Sequence, residues 1–375
     1  MPGRVRVLVI DIHYPAFAAR HYRANPGLAD RSYDEQLASL TGTWFGTTGI
    51  YPHHLNALGH EAREVVVNCL PLQLAWAREH GLRLGPLGAA ARVPGPAGLL
   101  PRDRVLHRIA HAQIEAFEPD VVYLQDLWFF KPPELAALRR RGIRVAAQLG
   151  SQPPGDARAT ELDFVATSFP HFVPRLREAG LDAEYLPLGF DARVLDHVAT
   201  DGDRPHAVVF VGGIHRPSVH AGGTAFLERL ARELEMEVWG YVDDRLSRDS
   251  PLLRNHHGEA WGLDMYRVLA RAKVAINRHG DIAEGHANNM RLFEATGMGA
   301  LLATEAADNL PELFEPGREV LAYTDADDLI EQVRRHLEHD GERCAVAAAG
   351  QARTLRDHGY GARIAQLAGM LERRL

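Results

Sequence analysis

Short runs of aliphatic and β-branched residues recur along this chain, each followed by a stretch whose apolar positions return every three or four residues. The runs Val5–Ile10, Glu64–Val67, Val121–Leu124, Arg144–Gln148, Phe164–Thr167 and Ala183–Leu186 predict one set of strands. A second set is predicted at Ala207–Val211, Glu237–Trp239, Val274–Asn277, Ala300–Ala303 and Glu319–Tyr323. Helical spacing is read over Arg104–Phe117 and Pro133–Arg141, and over Trp261–Ala272, where Trp261, Met265, Val268, Leu269 and Ala272 would share one face. Strands alternating with helices imply βαβ units and parallel sheets. The expected architecture is therefore α/β, with two Rossmann-like domains.

The boundary between the two sets is visible. From Pro187 to Pro205 the chain is rich in Gly, Pro and Asp and loses its apolar period, and a fresh strand follows. An N-terminal domain over residues 1–190 and a C-terminal domain over 206–354 are expected. Gly81–Pro101, dense in Gly and Pro, reads as a surface excursion or lid of the first domain. The tail from Gly341 onward is helical by pattern, broken at His358-Gly-Tyr-Gly361.

Bulk composition narrows the function classes. A chain of 375 residues exceeds what one core usually sustains, which fits two domains. The net charge of -7 and the lack of a long basic run argue against a nucleic-acid binder. Two distant cysteines, Cys69 and Cys344, both in apolar context, read as small buried residues rather than a disulfide or zinc framework. Val5–Ile10 is too short for a membrane span or signal segment, so no transmembrane segment and a cytoplasmic location are expected.

The densest polar stretch lies between two predicted strands, from Ala275 to Thr304. It reads as strand, polar loop, helix start, glycine break, strand. Asn288 and Asn289 offer N-caps to a helix Met290–Thr296, and Glu294 follows about a turn in. Free N–H groups and the helix dipole at such a point favour a phosphate. The competing reading is an ordinary capped helix. Phe210-Val-Gly-Gly-Ile-His-Arg216 ends a strand in Gly212 and Gly213, where backbone can approach a ligand, and Arg216 offers a planar fork for phosphate. A plain strand-to-helix turn explains it equally well. No Walker or dinucleotide glycine pattern is present.

His13 and Asp126 each follow a predicted strand, where open α/β sheets bind ligands, and are candidate catalytic groups. With 20 histidines in the chain, a loop histidine without a task is a strong competing reading for His13. Trp44-Phe-Gly-Thr-Thr-Gly49 is a small-residue loop that faces a cleft or simply opens the helix Ile50–Leu58. Asp201-Gly-Asp203 falls in the linker and reads as a solvated turn, and Asp325 reads as a helix cap. No zinc-ligand spacing occurs, so no protein-bound metal is expected.

Asn289-Met-Arg-Leu-Phe-Glu-Ala-Thr-Gly-Met-Gly-Ala-Leu-Leu-Ala-Thr304, followed by Leu310-Pro-Glu-Leu-Phe-Glu-Pro-Gly-Arg-Glu-Val-Leu-Ala-Tyr323, resembles the C-terminal domain of bacterial GT-B glycosyltransferases. The resemblance is to the branch described as CgeB-like or glycosyl transferases group 1. Phe210-Val-Gly-Gly213, Trp239-Gly240 and Leu58-Gly-His-Glu61 support it. It covers about residues 206–360 and is weaker before them. It implies two facing Rossmann-like domains around a deep cleft, an acceptor on the first, and a final helix, 355–375, crossing back to it. It implies a nucleoside-diphosphate sugar, a UDP-sugar foremost, as co-substrate on the second domain, with no further cofactor.

Carried over, Glu294 resembles the glutamate that holds the donor ribose. Asn288 and Asn289 would present backbone N–H groups to the diphosphate, with Arg216 adding charge. Gly212, Gly213, Asn277 and Arg291 complete the expected donor set. Related retaining enzymes carry another glutamate eight residues before Glu294; here that place is His286, with Glu284 ten before. Glu284, His286 or neither of them meets the sugar. The acceptor, whether small molecule, glycan or protein, is not specified. A sugar-nucleotide epimerase and a non-catalytic sugar-nucleotide or glycan binder share the implied plan.

Overall fold

The computed structural model describes residues 3–214, 217–243 and 246–375. The chain forms two compact units, one of Met1–Leu186 with Ile364–Leu375, the other of Pro187–Arg363.

The first unit is built on a six-stranded parallel sheet. Its strands are β1 (Arg6–Asp11), β2 (Glu61–Val66), β3 (Val121–Leu124), β4 (Arg144–Leu149), β5 (Phe164–Thr167) and β6 (Ala183–Tyr185). Their order is β2-β1-β3-β4-β5-β6. Val7, Leu8, Val9 and Ile10 of β1 are all buried, as a parallel strand covered on both faces requires. Register pairs Val7 with Ala62 on one side and Val121 on the other. Helix Tyr360–Glu372 runs into this unit, where Arg373 pairs with Glu184 at 3.0 Å and Arg374 with Asp182 at 2.6 Å.

Gly81–Pro101 is not a free excursion. Helix Pro86–Ala90 and the start of helix Pro96–Phe117 occupy much of it. Ala91 is fully buried, and Leu84 and Leu87 pack with Trp76, Val105 and Ile109. Pro96 opens its helix where a missing N–H costs nothing, so prolines that read as loop signals mark a helix start.

The second unit holds five parallel strands, β7 (His206–Val211), β8 (Glu237–Trp239), β9 (Ala272–Asn277), β10 (Leu301–Glu305) and β11 (Leu321–Tyr323), in the order β11-β10-β9-β7-β8. The helix expected from Trp261 spans only Leu263–Ala270; of the expected face it buries Leu269, beside Tyr266 and Ala270, while Ala272 is buried as the first residue of β9. Gly262, at φ 53°, separates Trp261 from it. Cys69 is buried as expected, but Cys344 is exposed. Helix Asp340–Asp357 buries the stripe Arg343, Ala347, Gly350 and Thr354, and Cys344 lies a residue off it. Asp325 does cap helix Ala326–Glu338, accepting from Asp327 N and Asp328 N.

Both sheets contain a point where the strand order reverses. In the first, β1 is flanked by β2 and β3; in the second, β7 is flanked by β8 and β9. Crevices at the C-terminal ends of such strand pairs are where open α/β sheets bind ligands. The second reversal is tightly built. Gly240, just after β8, has φ +135°, and a Cβ on it would meet Gly212 O at 2.1 Å. Gly240→Ala is therefore expected to cost about 2 kcal/mol or more through backbone strain and overlap, read as a fall in the denaturation midpoint; an unchanged midpoint would mean the two loop starts are not packed this way.

Candidate functional site

In the second unit, the loop between β9 and helix Arg291–Gly297 is organised by carboxamides. Asn289 Nδ2 donates to Asn277 Oδ1 and to Arg278 O, both at 2.8 Å, while its Oδ1 accepts from Leu292 N at 3.2 Å. Asn289 thus caps the helix start by side chain, although the helix proper begins at Arg291, one residue later than read from sequence. Asn277 is buried, and its Nδ2 donates to Thr304 Oγ1 at 2.9 Å, tying β9 to β10. Asn309 clamps Ala287 through both its N–H and its carbonyl, at 2.6 and 3.2 Å.

His279 takes part in the same fabric. Its Nδ1 accepts from Asn288 N at 3.4 Å, so the neutral ring carries its proton on Nε2, which faces Thr304 Oγ1 at 3.1 Å. Burial pushes its pKa down to about 4, against the pull of Glu305. Arg278 donates to Glu305 Oε1 at 3.0 Å and lies 5.0 Å over the Phe226 ring.

Glu294 is buried beside Arg291, whose Nη1 donates to Glu294 Oε2 at 2.7 Å. Burial raises the Glu294 carboxyl above its ordinary range; the Arg291 charge and a hydrogen bond with Tyr266 oppose this. Among the described residues, Arg291 Nε is buried without a hydrogen-bond partner, a donor for which a bound ligand atom would supply the missing acceptor.

The expected donor residues thus divide. Asn277, Asn288 and Asn289 come together and serve largely to build the loop. Arg291 and Glu294 meet one turn further on. Glu284 is exposed at φ 46°, and half-buried His286 turns Nδ1 back to Ala283 O and Glu284 O, each at 3.2 Å. Gly212 and exposed Gly213 follow β7, whose Phe210 is in register with Ile276, so they run beside the start of the loop. Arg216 lies outside the described residues. Sequence reasoning missed Tyr266, Arg278, His279, Glu305 and Asn309. The first is a helix-face residue, and the others gain their roles only when β9 and β10 are paired.

In the first unit, His13 and Asp126 flank the reversal between β1 and β3. His13 is 1% exposed, enclosed edge-on by Phe17 and Phe45 with ring centroids at 5.3 and 5.5 Å. Its backbone forms two bonds with the Asn68 side chain, and its Nε2 meets Thr48 Oγ1 at 2.8 Å. The Trp44–Gly49 loop is thereby brought to His13. Its Nδ1 has no hydrogen-bond partner among the described residues, and burial lowers its pKa to about 4. Asp126 is half-buried; its Oδ1 accepts from Trp128 N and Phe129 N at 3.0 and 2.7 Å. Beneath them, burial raises Asp11 to about 7 and Glu64 well above the carboxylate range; Glu64 Oε2 accepts from Gly49 N at 2.7 Å.

A cavity of about 1040 Å³ opens at the opposite, N-terminal end of these strands, but its Arg139 and Arg144 are already paired with Asp163. Among the described residues, no three His, Cys, Asp or Glu side chains are grouped to hold a metal, and no helix is long and apolar enough to cross a membrane.

Residues 220–369 match the family model described as glycosyl transferase-like. The match covers this part of the chain, and the fold of the whole chain is the two-domain GT-B fold of solved glycosyltransferases. Solved structures of the same fold include HepE from Anabaena in complex with UDP-glucose, 13% identical, with 99% of this chain and 100% of that one covered at a TM-score of 0.60. Sucrose-phosphate synthase from Thermosynechococcus elongatus is 13% identical, covering 99% of each chain at 0.57. AviGT4, a glycosyltransferase involved in avilamycin A biosynthesis, is 16% identical, covering 99% of this chain and 98% of that one at 0.56. No curated protein matches the sequence.

His13 and His279 share a consequence. Each stays neutral when folded down to about pH 4, whereas an unfolded histidine gains its proton near 6.5. Below pH 6.5 the unfolded chain therefore binds protons that the folded one does not, so the contribution to stability is full above pH 6.5 and lost progressively toward pH 4, on the order of 3 kcal/mol per histidine. Imidazole NMR signals of both residues are expected to titrate near pH 4; inflections near 6.5 would contradict their burial.

Proposed function

We propose that the enzyme transfers a sugar from a nucleoside-diphosphate sugar, with UDP-sugar favoured, to a hydroxyl acceptor without a metal ion. One observation carries the reading. The glycosyl transferase-like match spans residues 220–369 and contains the polar loop, Arg291 and Glu294, at the strand reversal where this fold class binds ligands. The UDP-glucose in the HepE complex supports the choice of donor.

In the reaction, the acceptor oxygen forms a bond to the anomeric carbon as the bond to the diphosphate breaks. The diphosphate leaves with added negative charge, and the hydroxyl proton passes to a base. Loop N–H groups and Arg291 Nε would meet that charge. Glu294 would take the ribose hydroxyls, and releasing it from Arg291 would free the guanidinium for phosphate. Gly212 and Gly213 would let backbone approach the donor.

For an inverting reaction, Asp126 is favoured as base over His13. It is the more accessible, while His13 is enclosed and weakly basic. His13 would then hold Thr48 and Asn68 in place.

A thermal-shift series of nucleoside diphosphates and their sugars tests the donor site. UDP at 100 times its dissociation constant is expected to stabilise by ~2.7 kcal/mol, with Glu294→Ala weakening binding at least about tenfold. No shift with any nucleotide would remove the donor reading; unchanged affinity in the variant would remove Glu294 from the site. Transfer is expected to persist in EDTA, and its loss there would refute metal independence. Asp126→Asn keeps the acceptor for Trp128 N and Phe129 N, yet is expected to lower transfer by about 10²-fold or more; undiminished turnover would exclude Asp126 as base. Donor converted to an epimer without acceptor would replace the transferase reading.

A further inference from the structure

Two large rings stand exposed in the loops that follow β1 and β3. Tyr14, next to His13, is 58% exposed, and Trp128, two residues past Asp126, is 52% exposed. Single exposed hydrophobic residues need no explanation. Trp128 differs in being held from several sides. The Arg158 guanidinium lies 5.0 Å from its ring centroid and donates to Leu127 O and Phe130 O. Asp126 fixes its N–H. The following residue, Phe129, stacks on His107 at 4.4 Å and 9°, and Phe130 is fully buried. Glu134, which closes the loop by accepting from Lys131 N, also receives His107 and His111 at 2.8 and 2.9 Å. The loop is thus held at several points, and Trp128 still presents half of its surface to solvent.

The surroundings narrow what that face can take. Asp126 Oδ1 is committed to backbone, and among the described residues no hydrogen bond reaches Oδ2. Arg158, Lys131 and Asp103 make the rim charged, with Lys131 Nζ 3.7 Å from Asp103 Oδ2. An aromatic aglycone would need an enclosed apolar slot, which a half-exposed ring within a charged rim does not provide. A pyranose has one face of C–H groups and a rim of hydroxyls, and matches a flat apolar ring beside an open carboxylate oxygen.

We propose that the acceptor is a saccharide, its ring stacked on Trp128 and one of its hydroxyls received by Asp126 Oδ2. This rests on the glycosyltransferase reading. It would place the accepting hydroxyl against the group favoured as base.

The test uses the full chain and a panel of cellobiose, maltotriose, chitotriose and 4-nitrophenol. A saccharide of the panel is expected to change tryptophan fluorescence in the wild type, and this change is expected to vanish in Trp128→Phe while the other four tryptophans remain. In transfer assays Trp128→Ala is expected to raise the saccharide KM about tenfold or more, with the donor KM and UDP stabilisation retained; Trp128→Tyr is expected to recover most of the loss. Equal saccharide KM in Trp128→Ala, or response to 4-nitrophenol alone, overturns the assignment. Loss of UDP stabilisation in the wild type would instead overturn the donor reading, leaving the fluorescence comparison to decide on the saccharide.

Discussion

The Asn289 carboxamide sets the geometry on which the donor-side reading depends. Its N–H groups hold the end of β9 and the first loop carbonyl, and its oxygen receives the start of the next helix. One planar group thereby fixes strand, loop and helix together. Arg291 and Glu294 take their positions from that helix start, so the proposed donor residues are placed by a residue whose own polar atoms are already spent. A helix of seven residues has little intrinsic stability, and the capping bond and the packing of Leu292, Phe293 and Ala295 hold it.

The other unit is organised differently at its own strand reversal. There the constraint is burial of ionisable groups. His13 is kept neutral by Phe17, Phe45 and the surrounding fold, and Asp11 and Glu64 are driven toward their protonated forms. Such groups have large desolvation costs, and the fold bears them around the β1/β3 strand-order reversal. Asp126 stands at the more open side of the same point. The contrast accords with the proposal that the second unit holds an anionic donor and the first a neutral acceptor and its proton.

The parallel strands were legible because burial on both faces leaves near-continuous aliphatic runs such as Val7–Ile10 and Val121–Leu124. β2 was displaced because Glu61–Arg63 looks polar, although Ala62 is buried. Prolines at helix starts hid the packed segment after Gly81. The polar loop was legible as a site by its composition, but not its division of labour. Much of its polarity serves the loop itself, through partners at Thr304, Glu305 and Asn309 that no sequence spacing reveals. His13 and Thr48 were singled out separately, and their contact across 35 positions required the fold.

The central claim is that the donor binds at the β7/β9 reversal, over the Asn289-built loop. Amide hydrogen exchange with and without saturating UDP tests this most directly, because it reads the loop backbone itself. The expected result is slowed exchange across residues 278–294 and at Gly212 and Gly213, with the first unit's β1 and β3 loops unchanged. Protection confined to other segments, with exchange in 278–294 unaltered, would contradict it.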